Sequence, residues 1–145
     1  MSHIRRLLDE ITTSTVLLLL LLPLVGCGQS TISAEISRQA ASGDGRLNLT
    51  TVGGRSWDRL CFLGPYTTNA FAEQTLGFPW DAEARTAIEL SDAINVLVFV
   101  AGREVVVYTE HSRQQDFARL NGKCFARSEA KFVKQAGGYV RLGAE

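Results

Sequence analysis

The chain has 145 residues, and its 15 lysines and arginines balance 15 aspartates and glutamates, so the formal net charge is zero at pH 7. That balance gives no electrostatic case for nucleic acid as a partner, nor for an anionic surface. A hydrophobic share of 46% and this length describe one domain with a core of its own.

The chain opens with Arg5 and Arg6, passes Asp9 and Glu10, and enters the apolar run from Val16 to Leu22, followed by Pro23, Leu24 and Val25. A basic start, a short apolar stretch and a small residue after it are the three parts of a secretory signal. A membrane-spanning helix is the competing interpretation, and length argues against it. Val16 to Val25 covers only about 15 Å as a helix, whereas a bilayer core is about 30 Å thick. Pro23 also disfavours a continuous helix there. The residues after Arg5-Arg6 do not fit a twin-arginine export signal.

The run ends in Leu24-Val25-Gly26-Cys27. This quartet resembles the lipobox of bacterial lipoproteins, with a branched apolar residue three before the cysteine and a small one directly before it. The resemblance implies cleavage between Gly26 and Cys27, attachment of diacylglycerol to the Cys27 thiol, and acylation of the new amino group. Each buried acyl CH₂ is worth about 0.8 kcal/mol, and two chains anchor stably where one does not. Gly28, in place of an aspartate, points to the outer membrane facing the periplasm if the host is Gram-negative. The expected partition is then a signal peptide over 1–26, a lipidated cysteine and tether over 27–45, and a single domain over 46–145. Removing residues 1–26 takes away two arginines and two acids and leaves the charge balance intact.

Cysteine arithmetic follows. The chain has three cysteines. With Cys27 lipidated, Cys61 and Cys124 remain as an even pair in an oxidising compartment, expected to form a disulfide. Two buried thiols are the alternative. Two distant cysteines with no second histidine nearby lack the ligands of a zinc site.

Along the exported chain, Gln29 to Gly45 is polar and rich in serine, alanine and glycine, and is expected to be a tether, with a turn or two of helix at Ile32 and Ile36 ended by Ser42-Gly43-Asp44-Gly45. Arg46 to Val52 alternates like a strand. Trp57 to Leu63 is apolar on both faces and is expected to be a central strand, stopped by Gly64-Pro65. Thr67 or Thr68 caps a helix ending at Gly77. Residues 81–91 suit helix or strand equally, with Asp81 as a cap in the first case. Ile94 to Val100 and Glu104 to Thr109 are expected to form a hairpin across Gly102. A short helix over Gln114 to Leu120, an Asn121-Gly122 turn, and strands at 123–127, 131–134 and 139–142 complete the chain. The fold class expected is α+β: a mostly antiparallel sheet of four to six strands, with one or two short helices on one face.

No residue set is expected to be catalytic or to hold a cofactor or metal. His111 is the only histidine after the signal, and it is expected to be solvated at a strand end. Asp58, Asp81, Glu83, Asp92 and Glu110 are scattered acids without calcium-loop spacing. Tyr66 and Trp80 each follow a proline and are the candidates for partner binding; Trp57 is expected in the core. The stretches Trp57-Asp58, Pro65-Tyr66-Thr67, Leu76-Gly77 and Val98-Phe99-Val100 resemble a group of small bacterial lipoproteins with a WD…PYT…LG…VFV layout, over about half of the exported chain. That resemblance implies the fold and the address, and no activity. The leading expectation is a non-enzymatic binding or adaptor domain of the cell envelope, held to membrane lipid through Cys27 and facing an envelope protein partner. An inhibitor or immunity-type lipoprotein that masks an envelope-attacking enzyme comes second, and a carboxylate-dependent envelope hydrolase third.

Overall fold

A computed structural model of the chain describes residues 27–54 and 56–143. The expected signal peptide over 1–26, with Gly26, lies outside the described residues. The centre of the fold is a four-stranded antiparallel sheet of β2 (Arg59–Leu63), β3 (Ile94–Ala101), β4 (Glu104–Ser112) and β5 (Cys124–Ala126), in the order β4-β3-β2-β5. The expected hairpin is β3–β4. Gly102 opens its two-residue turn at φ 57°, and its N–H donates to the Asp58 carboxylate at 2.7 Å. β3 is buried from Asn95 to Val100, as its unbroken apolar run requires. β4 runs along the outside of the sheet, with a register irregularity opposite Phe99 and Val100 and with Val106 exposed.

A second antiparallel sheet holds β1 (Arg46–Asn48), β6 (Lys131–Gln135) and β7 (Gly138–Arg141), in the order β1-β6-β7. The strand at Arg46 is shorter than its alternation suggests. Beyond Asn48 the Thr50 N–H and hydroxyl both donate to the Asn48 side chain, which turns the chain out of the ladder.

Alternation along the central sheet sends Leu60, Phe62, Leu97 and Phe99 to one face, and Cys61, Leu63, Val96, Val98 and Val100 to the other. The first face packs on the small sheet through Leu47 and Phe132, on Trp57, and on helix α1 (Cys27–Ala40). The second packs on helix α2 (Asn69–Leu76), on the one-turn helix α3 (Ala82–Arg85) and on the 3₁₀ turn Ile88–Leu90. The α+β architecture is as expected, but helices cover both faces instead of one, and the described strands lie in two sheets.

The reason is α1. The expected tether over 27–45 is replaced by a helix docked on the body. Ile32 and Ile36 are buried at 5% and 0% exposure, one helical turn apart on one face. The Gln39 amide accepts from the Asn48 N–H at 2.7 Å and donates to the Asn48 carbonyl at 3.1 Å, so its side chain acts as a short strand alongside β1. Residues 81–91 resolve as helical: Asp81 accepts from the Ala84 N–H as an N-cap, and Ala82 and Ile88 are buried. Gln114 to Leu120 forms a turn and then a 3₁₀ turn at Ala118–Leu120.

Cys61 and Cys124 face each other across β2 and β5 at disulfide distance. The neighbouring Phe62 N–H donates to Lys123 O at 3.0 Å, so the cysteine pair falls at a non-hydrogen-bonded position, where facing Cα atoms of antiparallel strands come closest. Here they are 4.0 Å apart.

Candidate functional site

Trp80 lies beside the β3–β4 hairpin, in the loop between α2 and α3. Thr68 caps α2 by accepting from the Phe71 N–H, and Gly77 ends that helix at φ 81°. The loop is then held by Asn69. Its N–H donates to Glu83 at 2.7 Å, its side-chain NH₂ donates to Asp81 at 3.0 Å, and its side-chain oxygen accepts from the Glu83 N–H at 3.1 Å. The Asn69 hydrogen bond, with that from the Ala84 N–H, keeps the Asp81 carboxyl below the usual range. Trp80 is half-buried, its ring edge-on to Tyr108 at 5.2 Å, and the Tyr108 hydroxyl donates to Arg85 O at 3.2 Å.

These contacts form one wall of a groove of about 420 Å³, built by Phe78, Pro79, Trp80 and Arg85. The other wall is the outer strand from Arg103 to Tyr108. Arg85 and Arg103 are exposed, and among the described residues neither has a carboxylate within ion-pair distance. The groove therefore offers three aromatic side chains and two guanidinium groups against the single carboxylate of Glu104. Such a lining suits a flat or apolar group next to a carboxylate on a partner.

Tyr66 is 62% exposed and holds a left-handed φ of 60°, fixed by its N–H donating to Ile88 O at 2.8 Å. No hydrogen bond or ring contact joins it to Trp80 among the described residues, so the two candidates do not make one patch through contact. Trp57 is in the core as expected. Its indole N–H donates to Val52 O at 2.7 Å, its ring meets Phe99 edge-on, and the Arg127 guanidinium stacks on it at 4.6 Å.

His111 corrects a second expectation. It is 1% exposed, not solvated. Its Nε2 is 3.0 Å from the side-chain oxygen Oε1 of Gln115, which accepts, so Nε2 carries the proton and Nδ1 is bare. The Ser33 hydroxyl of α1 donates to that Nδ1 at 2.8 Å. Burial keeps the imidazole pKa below its ordinary value, and the Gln115 hydrogen bond opposes this. A serine hydroxyl donating to a bare imidazole nitrogen is also how a nucleophile is activated. Here the imidazole is enclosed beside Phe117, none of the grooves described lies against Ser33 or His111, and the contact fastens α1 to β4. Its cross-strand neighbour Asn95 is 1% exposed, with neither amide atom hydrogen-bonded. Nothing in the spacing announces this cluster, because Ser33 and His111 are 78 residues apart and meet only once α1 docks.

Among the described residues no three His, Cys, Asp or Glu side chains are grouped to hold a metal ion, and no helix is long and apolar enough to cross a membrane. No protein-family model, no curated protein and no solved structure matches the chain.

Proposed function

We propose that the chain is a lipoprotein of the bacterial cell envelope, anchored in membrane lipid through Cys27, whose body is a non-enzymatic binding or adaptor module for an envelope protein. Cysteine usage carries the reading: of three cysteines, Cys61 and Cys124 are partners, which leaves Cys27, at the end of Leu24-Val25-Gly26-Cys27, as the one not engaged in that pair. Gly28 favours the outer membrane if the host is Gram-negative. The groove between Trp80 and the β3–β4 hairpin is the binding surface, and its lining selects a partner segment with a carboxylate beside an apolar side chain.

Fractionation tests the anchor. Cys27→Ser is expected to leave the precursor uncleaved and to remove the acyl mass from the chain, with loss from detergent-extracted membranes. An unchanged acylated species in the membrane fraction overturns the proposal. For the groove, Trp80→Ala is expected to weaken capture of envelope proteins by the anchored chain at least tenfold while leaving its urea midpoint close to wild type.

A further inference from the structure

The docked helix decides how the anchored molecule stands on its membrane. From Ile32 onward α1 is fastened along its length: Ile32 and Ile36 are buried, Ser33 bonds His111, and Gln39 is paired to the backbone of Asn48. Free play is therefore confined to the few residues between Cys27 and Ile32. That stretch spans about 7.5 Å as helix and no more than about 17 Å fully extended. A body of this size has a radius of gyration of about 13 Å, so the anchor cannot lift it clear of the headgroups or let it turn over freely.

The neighbours of α1 tell which surface meets the lipid. The helix runs antiparallel to the segment that leaves β1. Its late residue Gln39 meets Asn48, and its early residues Thr31, Ile32 and Glu35 share a groove with Thr51, Val52 and Gly53. The loop Thr50–Gly54 thus lies beside the anchored end of the helix. Around the far end, a groove of about 480 Å³ is lined by Arg38, Arg46 and Lys131, with Asp44 among them. Along the axis Arg38 is about 16 Å from Cys27.

Composition agrees with that division. Gly28 to Ala34 and Leu47 to Gly54 contain no charged residue, only hydroxyl, amide, glycine and aliphatic groups. Thr31, Ala34 and Thr51 are exposed there. The carboxylate of Glu35, at the edge of that groove, is ion-paired with Arg38 at 2.6 Å, so the surface approaches a phosphate-bearing interface with its carboxylate already matched by a guanidinium.

We infer that the first turns of α1 and the loop Thr50–Gly54 form a membrane-apposed face that rests on lipid headgroups, with the Arg38–Arg46–Lys131 groove held away from the bilayer. The placement rests on lipidation of Cys27.

The test uses the full lipidated chain in lipid nanodiscs that carry a minor fraction of lipid with a gadolinium chelate on its headgroup. Amide signals of Thr31, Ile32, Thr51, Val52 and Gly53 should broaden at least about threefold more than those of Arg46, Lys131 and Leu142, following the steep distance dependence of paramagnetic relaxation. Inserting a twelve-residue Gly-Ser linker between Cys27 and Gly28, with an r.m.s. span of about 19 Å, should erase the contrast. Equal broadening at the two ends in the parent chain, or the reverse order, overturns the face assignment while the anchor stands. A chain that neither carries acyl mass nor co-migrates with the discs overturns the anchor, and the face with it.

Discussion

His111 couples the helix at the start of the domain to the end of the outer strand, and it does so as a neutral base. Burial lowers its pKa below the ordinary value of 6.5, so the folded state resists a proton that the unfolded chain accepts. The resulting contribution to stability is present above pH 6.5 and is lost as pH falls through the lower folded value. The urea midpoint should therefore drop between about pH 7 and pH 5, and His111→Gln should flatten that drop. The depressed carboxylates Glu35, Asp44 and Asp81 act in a more acidic window, since their ordinary values are 4.5, 3.8 and 3.8. Asn95 carries a different cost. With neither amide atom bonded at 1% exposure, it bears a desolvation penalty without return. Asn95→Leu should stabilise the fold by about 1 kcal/mol in a denaturation series, and a loss of that size would show that the amide has a partner worth keeping. Trp57 was legible from the sequence because a large ring between two glycine-bounded turns has few places to go. The burial of His111 was not legible, because Glu110 and Ser112 beside it are polar and the groups that cover it come from a distant helix.

At the scale of elements, the hairpin, the central strand and α2 could be read because each carries its own period and its own stop. The Cys61–Cys124 pairing could be read from the count of cysteines, and its placement across two antiparallel strands adds the geometry. Helix α1 could be read only as a turn or two at Ile32 and Ile36, not as a docked element of 14 residues. Its only large apolar residues are Ile32 and Ile36, and the rest is small or polar, so its local pattern is that of a solvated linker. The helix persists through tertiary contacts at those two positions and through Ser33 and Gln39. Ile36→Ala separates the two descriptions. A residue in a tether would cost within about 0.5 kcal/mol, whereas a fully buried isoleucine should cost about 2–5 kcal/mol in the urea midpoint.

For the whole molecule, the misread helix explains the misread layering. Without α1, the helices α2 and α3 and the Ile88–Leu90 turn lie on one side of the central sheet, and the face of Leu60, Phe62, Leu97 and Phe99 keeps only the short 3₁₀ turn Ala118–Leu120 as helical cover. Seating α1 and the small sheet there gives three layers. The groove beside the hairpin was legible only at Trp80. Its two arginines, Arg85 on the Trp80 wall and Arg103 on the strand wall, come from separate elements that the fold brings to one opening.

The Cys61–Cys124 bond also makes residues 61–124 a closed covalent ring that contains α2, α3, β3 and β4. The most exposed large apolar side chains, Leu90 at 87% and Tyr66 at 62%, lie within it. A protease that cuts at either opens the ring without parting the chain. A single cut at Leu90 or Tyr66 should give one band on a non-reducing gel, where the disulfide still joins both fragments, and two after reduction. A cut between Ala41 and Gly45, outside the ring, severs the covalent path from α1 to the rest of the domain and leaves α1 to hold the domain by packing alone. Proteolysis therefore has two consequences set by position: a nick that keeps the domain whole, and a cut that, under the proposed lipid anchor on Cys27, would turn its hold on the membrane into a reversible one.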